Sequence, residues 1–374
     1  MKEPIEPAPL VAALPPSRPF VGPEELARRT GRASLLRLGA NESAFGPPPR
    51  AVAAMRAEIE RISYYGDPEA LALRQALAAK HGCAVAEISI GSGIDDLLGL
   101  TVRAYLAPGD VTVAALGSYP TYVYHVLGFA ARLETVPYTT AGRVPLDALA
   151  VRARETDARI VYLANPDNPS GTFAGRPEVE ALIDALPSHA LLLLDEAYAD
   201  FVAPEHLLPE GVQPRVIRMR TFSKAYGLAG ARIAYAIAPA ATIATFDKLR
   251  HHFGVNRIAQ SGALAALEDT AFVRYVVAEV ALGRAEYAAL GARFGCAAIQ
   301  SHANFVCIDL GSRGRAEAMV EALLELGVFV RKPGAPPLDG HIRVTVGTPA
   351  DRQHFGVAFA EALSRVESNA SVPT

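Results

Sequence analysis

At 374 residues the chain exceeds what one apolar core usually holds, so two domains are expected. Its residues are 51% hydrophobic and 20% charged with a net charge of −3, which suits a globular protein and offers no basic field for nucleic acid. Cys83, Cys296 and Cys307 are too few and too scattered for a disulfide framework or a thiolate metal site, so no metal and a reducing, cytoplasmic setting are expected.

The opening MKEPIEPAPLVAALPPSRPF is acidic and proline-rich, unlike a signal peptide, and the uncharged stretches elsewhere are too short to cross a bilayer. From about residue 50 short β-branched runs alternate with amphipathic ones. EISI (87–90), VTVAA (111–115), RLETV (132–136), RIVYLA (159–164), ALLLLD (190–195), RVIRM (215–219) and RIAYAIA (232–238) read as strands. EALALRQALAAKHG (69–82) and PEVEALIDAL (177–186) read as helices between them. Strands this apolar are covered on both faces, which predicts an α/β fold: a mostly parallel seven-stranded sheet flanked by helices. Past residue 256 long Ala- and Glu-rich helices precede NFVCIDL (304–310), GVFVRK (327–332) and HIRVTVG (341–347), the pattern of a smaller α+β domain. The expected division is 46–255 for the large domain and 256–374 for the small one, with 1–45 packing on the small domain.

Ligands of such sheets sit at the carboxyl ends of the strands. EISI runs into GSGIDDLL, where Gly93, Ile94 and Asp95 open a helix and present backbone N–H groups suited to an anion, although many Gly-Ser-Gly turns only start a helix. RIVYLA leads to the turn NPDNPSGT, in which the Asn168 amide is either turn chemistry or a donor to a phenolate oxygen. ALLLLD ends in Asp195, either a helix-capping residue or a carboxylate that keeps a heteroaromatic nitrogen protonated. RVIRM leads to Thr221, Ser223 and Lys224, and Arg232 follows eight residues after the lysine. Two hydroxyls and one fixed guanidinium match the needs of a phosphate, and a desolvated lysine beside that cation has a lowered pKa, as a nucleophilic amine requires. Singly these residues have ordinary explanations as caps, turns and surface pairs; jointly they point to one site.

The order GSGIDD, PTY, NPDNPSGT, DEAY, SKAYGLAGAR and IRVTVGT resembles fold-type I pyridoxal-phosphate aminotransferases, most closely the histidinol-phosphate aminotransferase group, over nearly the whole chain. GANESAFGPPP and SYYGDPEAL resemble that group's opening segments. The resemblance implies an aspartate-aminotransferase-like fold, pyridoxal 5'-phosphate as cofactor, and ping-pong transfer between an amino donor and 2-oxoglutarate in amino-acid, here histidine, biosynthesis. Lys224 would carry the cofactor covalently and shuttle a proton, Asp195 would pair with the ring nitrogen, and Tyr198 and Asn168 would hold the ring's 3-oxygen. Tyr122, in PTY, would stack on the ring, while Ile94, Asp95, Ser223 and Arg232 would hold the phosphate. Tyr65, with Tyr64 beside it, would reach the cofactor of a neighbouring subunit, implying a homodimer. Arg343 would grip the substrate carboxylate, and Arg331 would face the substrate side chain, where it can take a phosphate; Asn168 would also contact the substrate. Phe20 stands where the group has a tyrosine hydroxyl for the substrate phosphate, and the NEN-type segment reads Asn41, Glu42, Ser43. The loop HHFGVNRIAQ (251–260) also departs from the group's proline-containing one. Other donors, aromatic amino acids among them, and a decarboxylase or lyase on the same scaffold remain open.

Overall fold

The structure, a computed structural model, describes residues 5–14 and 21–370, so Phe20 lies outside the described residues. Its strands in chain order are β1 (Leu36–Arg37), β2 (Ile88–Gly91), β3 (Val111–Ala115), β4 (Arg132–Val136), β5 (Ile160–Ala164), β6 (Leu191–Asp195), β7 (Val216–Thr221), β8 (Ala234–Ile237), β9 (Phe305–Asp309), β10 (Val328–Phe329) and β11 (His341–Thr345). Seven of them form one sheet in the order β2-β8-β7-β6-β5-β3-β4, matching the seven predicted runs. β3 to β7 and β4 pair in parallel, and β8 alone runs against its neighbours.

Two-residue alternation divides the inner strands between two apolar layers. Leu193, Tyr162, Ile217 and Met219 point into one layer; Leu192, Leu194, Val161 and Val216 point into the other. Each of these side chains is at most 1% exposed, which explains why the runs read as continuously apolar. Register then decides what meets at the carboxyl edge. Ala164 lies opposite Asp195, and Asp195 opposite Met219, so β5, β6 and β7 end almost level. Ala234, at the start of β8, pairs with both Thr221 and Gly91, which brings the end of β2 level with the end of β7.

The C-terminal strands make smaller pairs. β9 and β11 are antiparallel, with Arg343 opposite Cys307, and β1 from the N-terminal segment pairs in parallel with β10. Beyond β10 the chain touches β11 through a single antiparallel bridge, Arg331 to Arg343.

One buried ion cluster ties β6 to β7. Glu196, 2% exposed, accepts two hydrogen bonds from Arg218 (3.0 and 3.1 Å) and one from Arg220 (2.9 Å). Burial by itself raises the Glu196 carboxyl, but the two guanidiniums overcome this and hold it at about 2. Removing a carboxylate that two buried cations share leaves both uncompensated. Glu196→Ala should therefore lose roughly 3–5 kcal/mol of stability in a denaturant titration, with no change expected from a comparable surface pair such as Arg313 with Glu317.

Candidate active site

The level strand ends open into a cleft of about 690 Å3 whose walls include Ile94, Asp95, Asn168, Asp195, Tyr198, Ser223, Lys224, Arg232, Arg331 and Arg343. At one end the helix Ile94–Tyr105 begins on Gly93 with no side-chain cap, so its first-turn N–H groups face the cleft without an intrahelical partner. Gly93 has φ +92, and a Cβ there would collide with the Arg232 Nη2, so glycine is what allows the guanidinium to lie over this turn. Ser223 and Thr221 lie on the facing turn, joined through a 2.9 Å hydroxyl contact, and the Ser223 N–H donates to Thr221 Oγ1 at 3.0 Å. Asp95 contributes its backbone only, because its carboxylate accepts from the Tyr119 hydroxyl (2.8 Å) and pairs with Arg232 (3.6 Å). Neutral donors and one cation around an uncapped helix start are the donor set of a phosphate monoester.

Asp195 forms the floor. It is 5% exposed and accepts from the Tyr162 hydroxyl (2.8 Å) and the Ala197 N–H (3.0 Å). Burial pushes its carboxyl up to about 6 against those two hydrogen bonds. The residue is thus ionised at neutral pH with neutral donors only, a carboxylate that a protonated ring nitrogen would stabilise. Lys224 donates to the backbone carbonyl of Asn41 at 3.0 Å, with its Nζ 5.6 Å from the centre of the Tyr198 ring. Burial first, then the Arg343 and Arg232 guanidiniums, pull this amine down to about 8, while Glu42 and Asp195 oppose them. An amine so tuned carries its lone pair far more often than an exposed lysine does.

At the other end stand the two bridged arginines. Arg343 donates to Asn168 Oδ1 (2.5 Å) and to the Gly39 carbonyl (3.0 Å), lies over the Phe305 ring, and keeps a buried Nε without a partner. Arg331 donates to the Val21 carbonyl at 3.1 Å, and burial with the neighbouring Arg343 brings it down to about 10. Residues directly opposite on a ladder project to the same face, so both guanidiniums line the same end of the cleft.

Of the residues given a cofactor or substrate role from the sequence, all but Tyr122 and Tyr65 line this cleft. Tyr122 does not line it: the side chain is fully buried, its ring stacks on Tyr162 at 4.5 Å and its hydroxyl meets Thr112 at 2.6 Å. Pro120 opens the helix Pro120–Gly128, which turns Tyr122 into the core and leaves Tyr119, at the N-cap, facing the cleft instead. The proline was the legible signal, since the residue before it closes the strand-to-helix turn. Tyr65 is 78% exposed and stacks on Phe253 at 4.4 Å, outside the cleft of its own chain. Tyr162 and Asn41 join the site without having been given a role. Tyr162 carried no signal of its own in the sequence, because only the β5 to β6 register sets it diagonally across from Asp195.

An open parallel sheet carrying a lysine, a floor aspartate and an anion cradle at its carboxyl edge defines an enzyme of the aspartate-aminotransferase fold. Residues 33–359 match the family model described as aminotransferase class I and II. A histidinol-phosphate aminotransferase 2 of Ralstonia nicotianae is 37% identical over 353 residues, covering 92% of this chain and 94% of that protein. The histidinol-phosphate aminotransferase of Geobacillus thermodenitrificans is 36% identical over 341 residues, covering 90% and 92%. The crystal structure of histidinol-phosphate aminotransferase from Sinorhizobium meliloti in complex with pyridoxal-5'-phosphate superposes with a TM-score of 0.93 at 42% identity, covering 98% of this chain and 99% of that one. The chain belongs to the class I and II aminotransferase family.

In the cofactor-free protein, labelling of Lys224 by an amine reagent followed against pH should titrate near 8 instead of at the ordinary lysine value. Arg343→Met removes a neighbouring positive charge and should move that midpoint upward, by on the order of one unit.

Proposed function

We propose that this pyridoxal-phosphate-dependent aminotransferase takes histidinol phosphate as its amino donor and a 2-oxo acid, 2-oxoglutarate, as acceptor. The observation that carries the reading is the pair Arg331 and Arg343, bridged to each other and facing the cleft that holds Lys224. A phosphate monoester brings a charge near −2 to these cations, and the two carboxylates of 2-oxoglutarate bring the same charge, so one pocket serves donor and acceptor in turn. The names of the relatives favour the phosphate-bearing donor.

When bound, the cofactor supplies an aldehyde for covalent attachment and a ring that spreads negative charge. Lys224 would hold it covalently and, as a free amine, would take up and return the proton of the donor Cα. Asp195, a buried carboxylate, would favour a protonated ring nitrogen. Tyr119, which lines the cleft, would take the role expected of Tyr122 against the cofactor ring. Tyr198 and Asn168 would hold the ring oxygen, and Ile94, Asp95, Ser223 and Arg232 would hold the phosphate. Residues 46–255 form the cofactor-holding unit, and 256–374 together with 1–45 bring the substrate arginines to it.

The enzyme works as a homodimer in the cytoplasm. Tyr64, Tyr65, Ile59, Ile62 and Phe253 are 49–78% exposed, an apolar patch that a second copy would cover. From this patch Tyr65 would reach the partner's cofactor phosphate. Among the described residues no helix is long and apolar enough to cross a membrane.

Lys224→Ala should abolish amino transfer while the protein still folds. Arg331→Ala should lower kcat/KM for histidinol phosphate by roughly tenfold to a hundredfold, the worth of one charged hydrogen bond at about 1.5–3 kcal/mol, and leave an uncharged aromatic donor less affected. Single-turnover screening of donors decides the substrate: reaction with phenylalanine or tyrosine but not with histidinol phosphate overturns the assignment.

A further inference from the structure

Asn41 is 2% exposed and adopts φ +54, a left-handed backbone that costs little for asparagine and more for most other residues. Each of its polar atoms is engaged. Its N–H donates to Thr345 Oγ1 (3.0 Å), and Thr345 Oγ1 donates back to Asn41 Oδ1 (3.2 Å). Its carbonyl accepts from Lys224 Nζ (3.0 Å) and from Asn304 Nδ2 (3.1 Å). Its Nδ2 donates to the Tyr198 hydroxyl at 2.9 Å.

The direction of these bonds has a chemical consequence. Thr345 has one hydroxyl proton, and in this arrangement its oxygen accepts the Asn41 N–H while that proton goes to Oδ1. The carboxamide stands with its NH2 group toward Tyr198. The phenol oxygen must then accept, and its own proton is left to point elsewhere. Tyr198 is 3% exposed, its ring is pinned edge-on against Phe305 at 5.3 Å, and it lines the cleft. The direction left to the proton is the cleft itself.

We infer that Asn41 is a positioning residue: it forces Tyr198 to act as a hydrogen-bond donor into the cofactor cleft, while its backbone carbonyl holds the Lys224 amine. The inference rests on the reading of the cleft as a pyridoxal-phosphate site. It places a residue of the N-terminal segment, anchored by β11, in control of which way a large-domain phenol gives its proton. The other charged groups that act on the phenol are Arg343, Lys224, Asp195 and Asp167; none changes in the variants below.

Asn41→Gly keeps the left-handed backbone and the carbonyl used by Lys224, and removes only the carboxamide. A donor aimed at an oxygen that becomes anionic favours the anion, so losing it raises the pH at which the bound cofactor changes its visible absorbance. Asn41→Gly should raise that midpoint in the holoenzyme by about one to two pH units, as Tyr198→Phe does, and add nothing in the Asn41→Gly/Tyr198→Phe double variant. Asn41→Asp, which turns the neighbour into an acceptor, should also raise it. A second readout needs no cofactor: the phenol-carbon NMR signal of Tyr198, assigned by its loss in Tyr198→Phe, should move in Asn41→Gly. The inference is overturned if the midpoint and the NMR signal both keep their wild-type positions, or if Asn41→Gly shifts the midpoint equally on the Tyr198→Phe background. A moved NMR signal in a protein that develops no absorbance with pyridoxal phosphate would confirm the Asn41–Tyr198 contact and overturn the cofactor reading instead.

Discussion

Asp195 is a carboxylate held below the surface by two neutral donors, Tyr162 and the Ala197 N–H. Burial has raised its pKa to about 6, and the site retains a charge that a bound cation would stabilise more than the protein does. Much of the surrounding architecture answers to this. The apolar sheet excludes water from the floor, the register of β5 with β6 brings Tyr162 within reach, and the cation cluster beneath Glu196 fixes the turn that follows. Asp195 and Glu196 are adjacent and both buried, and their carboxyls are moved in opposite directions: Glu196 is hydrogen-bonded by two arginines and sits at about 2, whereas Asp195 is hydrogen-bonded by neutral donors and sits at about 6. The residue with its charge satisfied holds structure, and the one without it is available for a ligand.

The same accounting orders the rest of the cleft. Arg232, Lys224, Arg331 and Arg343 stand around one volume, and burial first, then repulsion from neighbouring guanidiniums, lowers the amine of Lys224 and the guanidinium of Arg331. Positive charge concentrated in a low-dielectric cleft costs stability in the empty protein and is recovered when anionic cofactor and substrate arrive. Asn41 sits where these demands meet, taking the amine on its carbonyl and turning the Tyr198 phenol with its amide.

Much of this was legible in the chain, and for an identifiable reason. Strands buried on both faces must be apolar throughout, so the seven runs stood out, and polar residues placed just after them stood out in turn: Asp195, Asn168, Ser223 and Lys224 needed no coordinates to be noticed. Tyr122 shows where such reading fails. Two tyrosines lie three residues apart around Pro120, and only the pitch of the helix that the proline starts decides that Tyr119 faces the cleft and Tyr122 the core. Tyr162 was hidden for the opposite reason, since a polar aromatic inside an apolar strand looks like core until the register sets it diagonally from Asp195.

The sequence by itself determined the parallel sheet and the residues delivered at its carboxyl edge, because periodicity and residue type are local properties. Tertiary structure alone decided which groups meet. Ala234 pairs with Thr221 on one side and Gly91 on the other, and so closes the anion cradle from two distant turns. The Arg331 to Arg343 bridge joins two cations from separate strands, and Asn41 reaches Tyr198 across 157 positions of chain. Such contacts depend on register and on packing across the fold, where a shift of one residue would turn each side chain to the opposite face.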